Sequence, residues 1–241
     1  MPKNLQAMVT RIANELDRPL SDLAVDNATT FQTEIINAIR DAISDYEAQR
    51  FFFNDSDASA LIPHPSIALV AGTEYYNFPT DAVGGTKLLE PHRDGVRVNS
   101  NGRWNYVQPV AWDEIEREQY EVTPTYKSWP RLYAIRNERI RVYPVPDQAY
   151  TLRLPGVVEF EEVSALTGGD GSDTKAVNPW LNVAEIMIRC NAKARLCRHV
   201  LYQPELIPNF ERDEQMVFLG LQQQTNKSQS YKRIGSAWNQ P

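Results

Sequence analysis

The side chains with the greatest potential for acid–base or metal chemistry are few and widely separated. His64 lies between two prolines, His92 lies in a turn of a β-rich region, and His199 lies near the end of a predicted helix. None has a neighbour at the spacing of a catalytic triad or a zinc site. Cys190 and Cys197 would lie about 10 Å apart along one helix, too far for a disulfide. We therefore expect buried thiols, no metal site and no catalytic histidine.

Two glycine-rich segments superficially resemble ligand-binding loops. Residues 83–87 lack the residue order of a phosphate-binding loop and its following helix. The segment 164–175 contains Asp170 and Asp173, but two carboxylates supply too few oxygens for calcium, which takes about 6–8 ligands. The motifs G-x-S-x-G, H-E-x-x-H and G-x-G-x-x-G are absent from the sequence. The sequence thus predicts a protein that is not an enzyme and has no cofactor.

The composition is typical of a folded protein without a membrane anchor. The 241 residues are 42% hydrophobic, and 25 basic against 31 acidic side chains give a net charge of −6. Two cysteines exclude a disulfide scaffold, and no apolar run approaches the roughly 20 residues of a membrane helix. The start of the chain lacks the apolar region of a secretory signal. The acidic balance argues against a dedicated nucleic-acid coat.

The charge is distributed unevenly along the chain. Residues 1–60 carry 5 basic and 10 acidic side chains, whereas residues 226–241 carry 3 basic and 0 acidic ones. This basic tail also holds large apolar residues that it cannot bury by itself, so we expect it to become ordered on a partner protein. The alternative is a tail that stays disordered in solution. The residues expected to bind are Tyr231, Lys232, Arg233, Ile234 and Trp238.

Helical periodicity dominates both ends of the chain. Residues 5–16 form one apolar helix face, and a longer helix is predicted over 30–50, started by a capping box of Thr29 and Gln32. Its aromatic residues are expected to contact the rest of the bundle or a neighbouring subunit: Phe31, Tyr46, Phe51, Phe52 and Phe53. Asn178 and the proline after it predict the start of a helix that continues to Tyr202. A last helix is predicted over 209–224.

Between these helical regions, proline and glycine separate short segments rich in valine, isoleucine, tyrosine and threonine. This pattern predicts strands. The tight connection 136–139 predicts a hairpin, and 113–120 predicts a short acidic helix. The predicted strands cover 67–70, 74–78, 86–90, 96–99, 104–107, 132–136, 139–143 and 150–154.

The predicted fold class is therefore α+β. A helical bundle is built from 1–60 and 164–225, and a small antiparallel β domain, sandwich or barrel-like, is inserted over 61–163. An extended tail follows over 226–241.

Four segments occur in an order typical of one family. They are the long helix 31–54, the strand-to-turn segment 74–81, the hairpin 129–147 and the helix that begins at Asn178. Together they resemble the phage head-to-tail adaptor proteins, the neck proteins of podovirus-like tails sometimes called tail tubular protein A. The resemblance covers most of the chain from 31 to about 221. It departs after Tyr150, where the family has a more regular final strand.

The resemblance implies a structural, non-enzymatic component of the virion neck, assembled in the host cytoplasm. Members of the family usually form a ring of twelve copies beneath the dodecameric portal protein. They extend the channel through which the double-stranded genome passes, and attach below to a tail nozzle or tube protein. Their C-terminal segment commonly reaches the portal, which here corresponds to 227–241. No membrane contact is implied.

Acidic side chains are expected to line such a channel, because like charge would keep DNA from adhering to its wall. An ordinary solvated surface explains the same residues equally well. The candidates on the two predicted helices are Asp41, Asp45, Glu47, Asp113, Glu114, Glu116 and Glu118.

Three alternative functions fit the same composition. One is a different neck or tail component, such as a stopper or baseplate element. Another is a carbohydrate-binding tail protein or small hydrolase, whose sugar-stacking aromatic residues would be Trp104, Trp112, Trp129 and Tyr133. The third is a protein that binds DNA termini through its basic tail.

Overall fold

The computed structural model describes residues 5–56, 64–78, 86–92, 95–121, 126–137, 139–160 and 178–238. The chain divides into two units, a helical unit of Met1–Phe53 with Glu161–Pro241 and a β unit of Asn54–Phe160. The helices are α1 (Leu5–Glu15), α2 (Val25–Glu47), α3 (Trp112–Glu121), α4 (Pro179–Asn182), α5 (Glu185–His199) and α6 (Ile207–Trp238). The predicted α+β fold, with helices at both ends and an inserted small sheet region, is confirmed.

Ten strands lie in the described part of the β unit. They are β1 (Ser66–Leu69), β2 (Tyr75–Asn77), β3 (Thr86–Pro91), β4 (Arg97–Ser100), β5 (Arg103–Tyr106), β6 (Gln108–Pro109), β7 (Leu132–Arg136), β8 (Arg139–Tyr143), β9 (Tyr150–Arg153) and β10 (Gly156–Phe160). They make two four-stranded sheets, ordered β1-β9-β4-β5 and β2-β8-β7-β6, and the two-stranded sheet β10-β3. All three sheets contribute to one apolar cluster, for example Leu152, Ile140 and Val158. The unit is therefore a small sandwich.

The helical unit is organised around α5, which contacts α1, α2, α4 and α6. Neighbours on several sides bury α5 around most of its circumference, including three charged residues, Glu185, Arg189 and Lys193. The apolar faces predicted for the first two helices are confirmed. Their buried residues include Val9, Ile12, Ile35, Ala38, Ile39, Ala42 and Ile43.

The predicted start of α2 is wrong, because the helix begins at Val25 rather than after Thr29. Thr29 lies inside the helix, and its hydroxyl donates a hydrogen bond to the carbonyl of Val25 at 2.9 Å. Thr30 and Thr33 bond in the same way to the carbonyls four residues earlier. A threonine with a glutamine three residues later therefore does not mark a helix start when its hydroxyl is satisfied within the helix.

The C-terminal helices confirm one predicted boundary and correct two others. The Asn178 side chain accepts a hydrogen bond from the backbone nitrogen of Trp180 at 2.9 Å, as expected for an N-cap. The helix expected to reach Tyr202 is instead interrupted between α4 and α5. The expected extended tail is also wrong, because α6 continues to Trp238. No proline occurs between 209 and 240, so no proline ends the helix at 225.

The hairpin predicted at 136–139 is confirmed by the antiparallel pairing of β7 with β8. A second hairpin joins β4 to β5 through Asn101 and Gly102, whose φ angles of 54° and 78° match a tight primed turn. Two strands lie outside the predicted set. β6 is a two-residue strand parallel to β7, too short to show alternation, and β10 follows a proline.

β10 requires glycine at its first position. A Cβ atom on Gly156 would lie 2.1 Å from the carbonyl oxygen of Glu90, which belongs to the paired strand β3. Its backbone is also held by Ser56, whose hydroxyl accepts a hydrogen bond from the Gly156 nitrogen at 2.9 Å. The close approach of the two strands therefore depends on the absence of a side chain.

Candidate functional site

The aromatic residues predicted at bundle or subunit contacts lie mostly within the helical unit itself. Phe31, Phe51 and Phe53 are buried. Trp180 packs edge-on against two of them, with ring centroids 5.7 Å from Phe51 and 4.9 Å from Phe53. These rings therefore form part of the core of one copy.

Phe52 and Tyr46 are half-buried in the same unit. The backbone nitrogen of Phe52 donates to the hydroxyl of Thr225 at 3.1 Å. The Tyr46 hydroxyl is hydrogen-bonded to Glu214. Burial, and then this carboxylate, raises the pKa of Tyr46 far above its ordinary value. Both residues therefore tie the end of α2 to α6.

The acidic side chains of α2 that were candidates for a channel wall face arginine within the same copy. Arg195 of α5 forms ion pairs with Asp45 and, at 3.7 Å, with Asp41. Asn191 also donates to Asp45, at 3.3 Å. Glu47 is half-buried at the end of the helix. Part of the negative charge on α2 is thus neutralised by α5.

The acidic side chains of α3 differ among themselves. Glu116 lies 3.4 Å from the guanidinium of Arg141, a buried arginine on β8. Asp113, Glu114 and Glu118 are exposed. The predicted short acidic helix is therefore confirmed, and of these four carboxylates Glu116 reaches Arg141 while the other three are exposed.

Arg141 is the centre of the contact between α3 and the sheet. Its guanidinium lies 5.2 Å from the ring of Tyr75 and 5.6 Å from the ring of Trp112, and it donates to Gln119 at 2.6 Å. The side chain of Ile115 packs in the adjoining apolar cluster. This arrangement joins cation–π contacts, a hydrogen bond and an ion pair, and it fixes α3 on the sheet.

A partly buried ionic network joins α1 to α5 in the helical unit. Glu15 contacts Lys193 at 2.9 Å and Arg189 at 3.3 Å, while Glu185 contacts Arg189 at 3.0 Å and Arg11 at 3.1 Å. Burial disfavours the ionised form of Glu15, but Lys193, with Arg189 and Arg11, outweighs this effect and holds the pKa of Glu15 below its usual value. The network therefore holds two helices together only while its members stay charged.

The residues predicted to bind a partner from the tail lie in the last part of α6. Their backbone is helical as far as Trp238, and their side chains lie outside the described residues. The assignment of Tyr231, Lys232, Arg233 and Ile234, with Trp238, to portal binding stays a prediction.

The histidines and cysteines form no metal centre in the described part of the chain. His92 contacts the buried carboxylate of Asp55 at 2.9 Å, a pairing that sequence spacing could not show because 37 residues separate them. Cys190 and Cys197 are free and buried, and burial raises the pKa of both thiols. The glycine-rich loop 164–175 lies outside the described residues, as do 83–85.

The four aromatic residues considered for sugar stacking are dispersed over the β unit. Tyr133 is buried in the core cluster, and Trp129 lies half-buried under Arg131. Trp112 is half-buried next to Arg141. Trp104 is exposed over 41% of its surface. The structure therefore does not bring these four together into one binding site.

A comparison with known protein families decides the identity of the chain. Residues 3–236 match the family described as SU10 adaptor protein, which is nearly the whole chain and includes both units. The chain belongs to the SU10 adaptor protein family. This SU10 adaptor protein is therefore a structural component of a bacteriophage, as the resemblance of its helix, hairpin and capping segments predicted. A search of curated proteins found no match.

None of the described helices is long and apolar enough to cross a lipid bilayer. Besides the pairing of His92 with Asp55, two contacts of this SU10 adaptor had no signal in the sequence, and both involve arginine. Arg141 and the α1–α5 network draw their partners from distant parts of the chain, so spacing carries no signal for them. The only usable sign was the presence of charged residues inside the apolar pattern of α5.

Proposed function

We propose that twelve copies of the SU10 adaptor form a closed ring beneath the portal of the phage head and extend its DNA channel toward the tail nozzle or tube. Membership of the adaptor family over residues 3–236 is the observation that supports this proposal. A cyclic ring repeats one heterologous contact until it closes. The protein would be made in the host cytoplasm and be retained in the neck of the virion.

The C-terminal part of α6 is the proposed attachment to the portal. Residues 226–241 carry 3 basic and 0 acidic side chains and include Tyr231 and Trp238, whereas the remainder of the chain is acidic. A helical arm of this kind can place Tyr231 and Trp238 on a partner as anchoring residues. We expect deletion of 229–241 to weaken portal binding by at least about 100-fold, because the anchors are lost while the described cores of both units remain.

The channel wall is proposed to carry net negative charge. Asp113 of α3, which is exposed, fits such a wall better than Asp41 and Asp45, whose charges are met by Arg195. An acidic wall repels the DNA backbone and lets the genome slide during packaging and ejection. Reversal of Asp113 to lysine should then slow ejection of DNA from assembled particles.

Electron microscopy of portal rings mixed with purified protein tests assembly. We expect a second ring to appear on one side of the portal with the full chain, and to be depleted with the variant that lacks 229–241. Circular dichroism of the truncated variant provides the control for folding. The proposal fails if the full chain leaves the portal rings unchanged.

A further inference from the structure

The outer face of the sheet β1-β9-β4-β5 carries two rows of side chains that are exposed or half-buried, and we name it the open face. Strand register places Ser66, Arg153, Arg97 and Tyr106 in one row and Ala68, Thr151, Asn99 and Trp104 in the next. The side chains that alternate with them, such as Leu152 and Val98, point into the core cluster. None of the eight residues on the open face is acidic.

The open face combines aromatic surface with positive charge. Trp104 and Tyr106 are exposed over 41% and 49% of their surfaces. The guanidinium of Arg153 lies 5.7 Å from the centre of the Trp104 ring. Arg97 is directly opposite Arg153 in the register, and like charges in that position repel. Arg97 forms no ion pair with any residue that the structure describes. Arg97 therefore gives this face a positive charge that suits an acidic partner.

The other four-stranded sheet shows what an arginine among aromatic rings binds in this protein. Its outer face presents Arg141 beside Tyr75, and α3 covers that face. The helix supplies Glu116 and Gln119 to the guanidinium. The β unit thus already contains one complex between an arginine–aromatic sheet face and an acidic helix.

The exposed side of α3 presents two further carboxylates, with Arg117 between them in the sequence. Glu114 and Glu118 are exposed, lie one helical turn apart, and pair with no residue in the described part of the chain. Their like charges at this spacing destabilise the helix slightly. Their Cβ atoms are about 5–6 Å apart, close to the roughly 5 Å between neighbouring strands that separates Arg97 from Arg153.

We propose that the open face of one copy binds the side of α3 that carries Glu114 and Glu118 on a second copy. The two surfaces lie on opposite outer faces of the same sandwich, so they cannot meet within one chain and must pair head to tail between copies. This inference rests on the proposed ring and identifies the contact that closes it. It places these two carboxylates between subunits rather than in the channel.

A charge-swap experiment tests the contact. The face variant carries Arg97→Glu and Arg153→Glu, and the helix variant carries Glu114→Arg and Glu118→Arg. Each variant alone should lose at least about tenfold in self-association, because like charges now face each other across the contact. An equimolar mixture should recover association, since each variant supplies the surface that complements the other.

The measurements are sedimentation velocity of the free protein and native mass spectrometry of portal-bound copies. Arg103→Glu is the matched control, because its side chain lies on the adjacent strand outside the two rows, and it should associate like the unmodified protein. Far-UV circular dichroism and thermal melting check the fold of every variant. If the face variant is poorly folded, Arg97→Glu alone replaces it.

Failure of this inference differs from failure of the proposed ring. If the unmodified protein assembles on the portal and the two variants assemble equally well, the ring stands and this contact is wrong. If no copy binds the portal, the proposed ring fails, and the contact is judged by self-association in solution alone. Absence of any self-association there, or of recovery in the mixture, overturns it.

Two other occupants of the open face would also overturn the inference. Duplex DNA that binds at physiological salt, and is lost in the face variant, would make it a DNA surface. A neutral oligosaccharide that binds with loss on Trp104→Ala but not on Arg97→Glu would make it a sugar site. We expect neither ligand to bind.

Discussion

The helical unit and the β unit place their buried charges differently. In the helical unit, α5 buries Glu185, Arg189 and Lys193 among its neighbours and pairs them with residues of α1. In the β unit, the cluster between the sheets holds aliphatic and aromatic side chains and no charged residue. The buried charges of this unit, Asp55 and Arg141, lie outside that cluster and contact His92 and α3. The helical unit therefore places matched charges along its central helix, whereas the β unit keeps charge out of its main apolar cluster and pairs its buried Arg141 with α3.

The largest effect should come from the aromatic core of the helical unit. Trp180→Ala removes a fully buried ring that packs on Phe51 and Phe53. We expect the free energy of unfolding, measured by urea denaturation, to fall by about 3–5 kcal/mol. Hydrogen exchange should show that this loss is confined to the helical unit. Trp104→Ala is the matched control in the β unit and should change stability by less than about 0.5 kcal/mol. Similar losses from both variants would contradict the assignment of Trp180, rather than Trp104, to a stabilising core.

The ionic network gives the next largest effect. Glu185→Gln leaves Arg189 and Arg11 without one of their carboxylates in a site where Glu185 is only 3% exposed. We expect a loss of about 3 kcal/mol, because removing one partner strands buried charge. Urea denaturation measures it. The exposed pair of Glu211 with Arg198 provides the control, and Glu211→Gln should cost less than about 1 kcal/mol. Equal costs would show that burial does not matter here.

The stability of the β unit depends on close packing of its strands rather than on charge. Gly156→Ala places a Cβ atom against the carbonyl of Glu90 and the backbone of Pro91, so the pairing of β3 with β10 must distort. We expect a loss of about 1–3 kcal/mol confined to the β unit. In contrast, Gly220→Ala in α6 meets no atom within 4 Å and should stabilise the helical unit by about 0.5–1 kcal/mol. Hydrogen exchange resolves the two effects, and destabilisation by Gly220→Ala would contradict this assignment.

The smallest expected effect is the loss of stability of the helical unit at acidic pH. Since the folded state lowers the pKa of Glu15, its stabilising contribution is present above the unfolded pKa, about 4.3, and is lost as the pH falls through the lower folded value. Stability of the helical unit should therefore decline below this pH. Glu15→Gln should flatten the decline relative to the unmodified protein in urea titrations at several pH values. An unchanged pH profile in this variant would exclude Glu15 as a source of the acid sensitivity.

Elements of the fold could be predicted from sequence where the signal is local. Apolar stripes at helical spacing located α1 and α2, and alternation with turn residues located β7 and β8, because these signals are local. The start of α2 was missed, since a threonine bonded within a helix resembles a cap. The two-residue strand β6 is too short to show any pattern.

The candidate site was predicted less completely than the fold. The family resemblance identified a structural adaptor from core, turn and capping residues, and the family match agrees with it. Contacts that join distant residues, such as Glu15 with Lys193 or Arg141 with Gln119, have no local signature. The rows of the open face also became visible only through strand register, which sets Arg97 beside Arg153. Tertiary placement of charge therefore requires the structure.

Native mass spectrometry of the portal ring mixed with an excess of the SU10 adaptor tests the central claim most directly. The proposed ring predicts one dominant complex in which twelve copies are bound to each portal ring, with few partly filled species. A mass that corresponds to the portal ring alone, or a random distribution of bound copies without a closed ring, would contradict it.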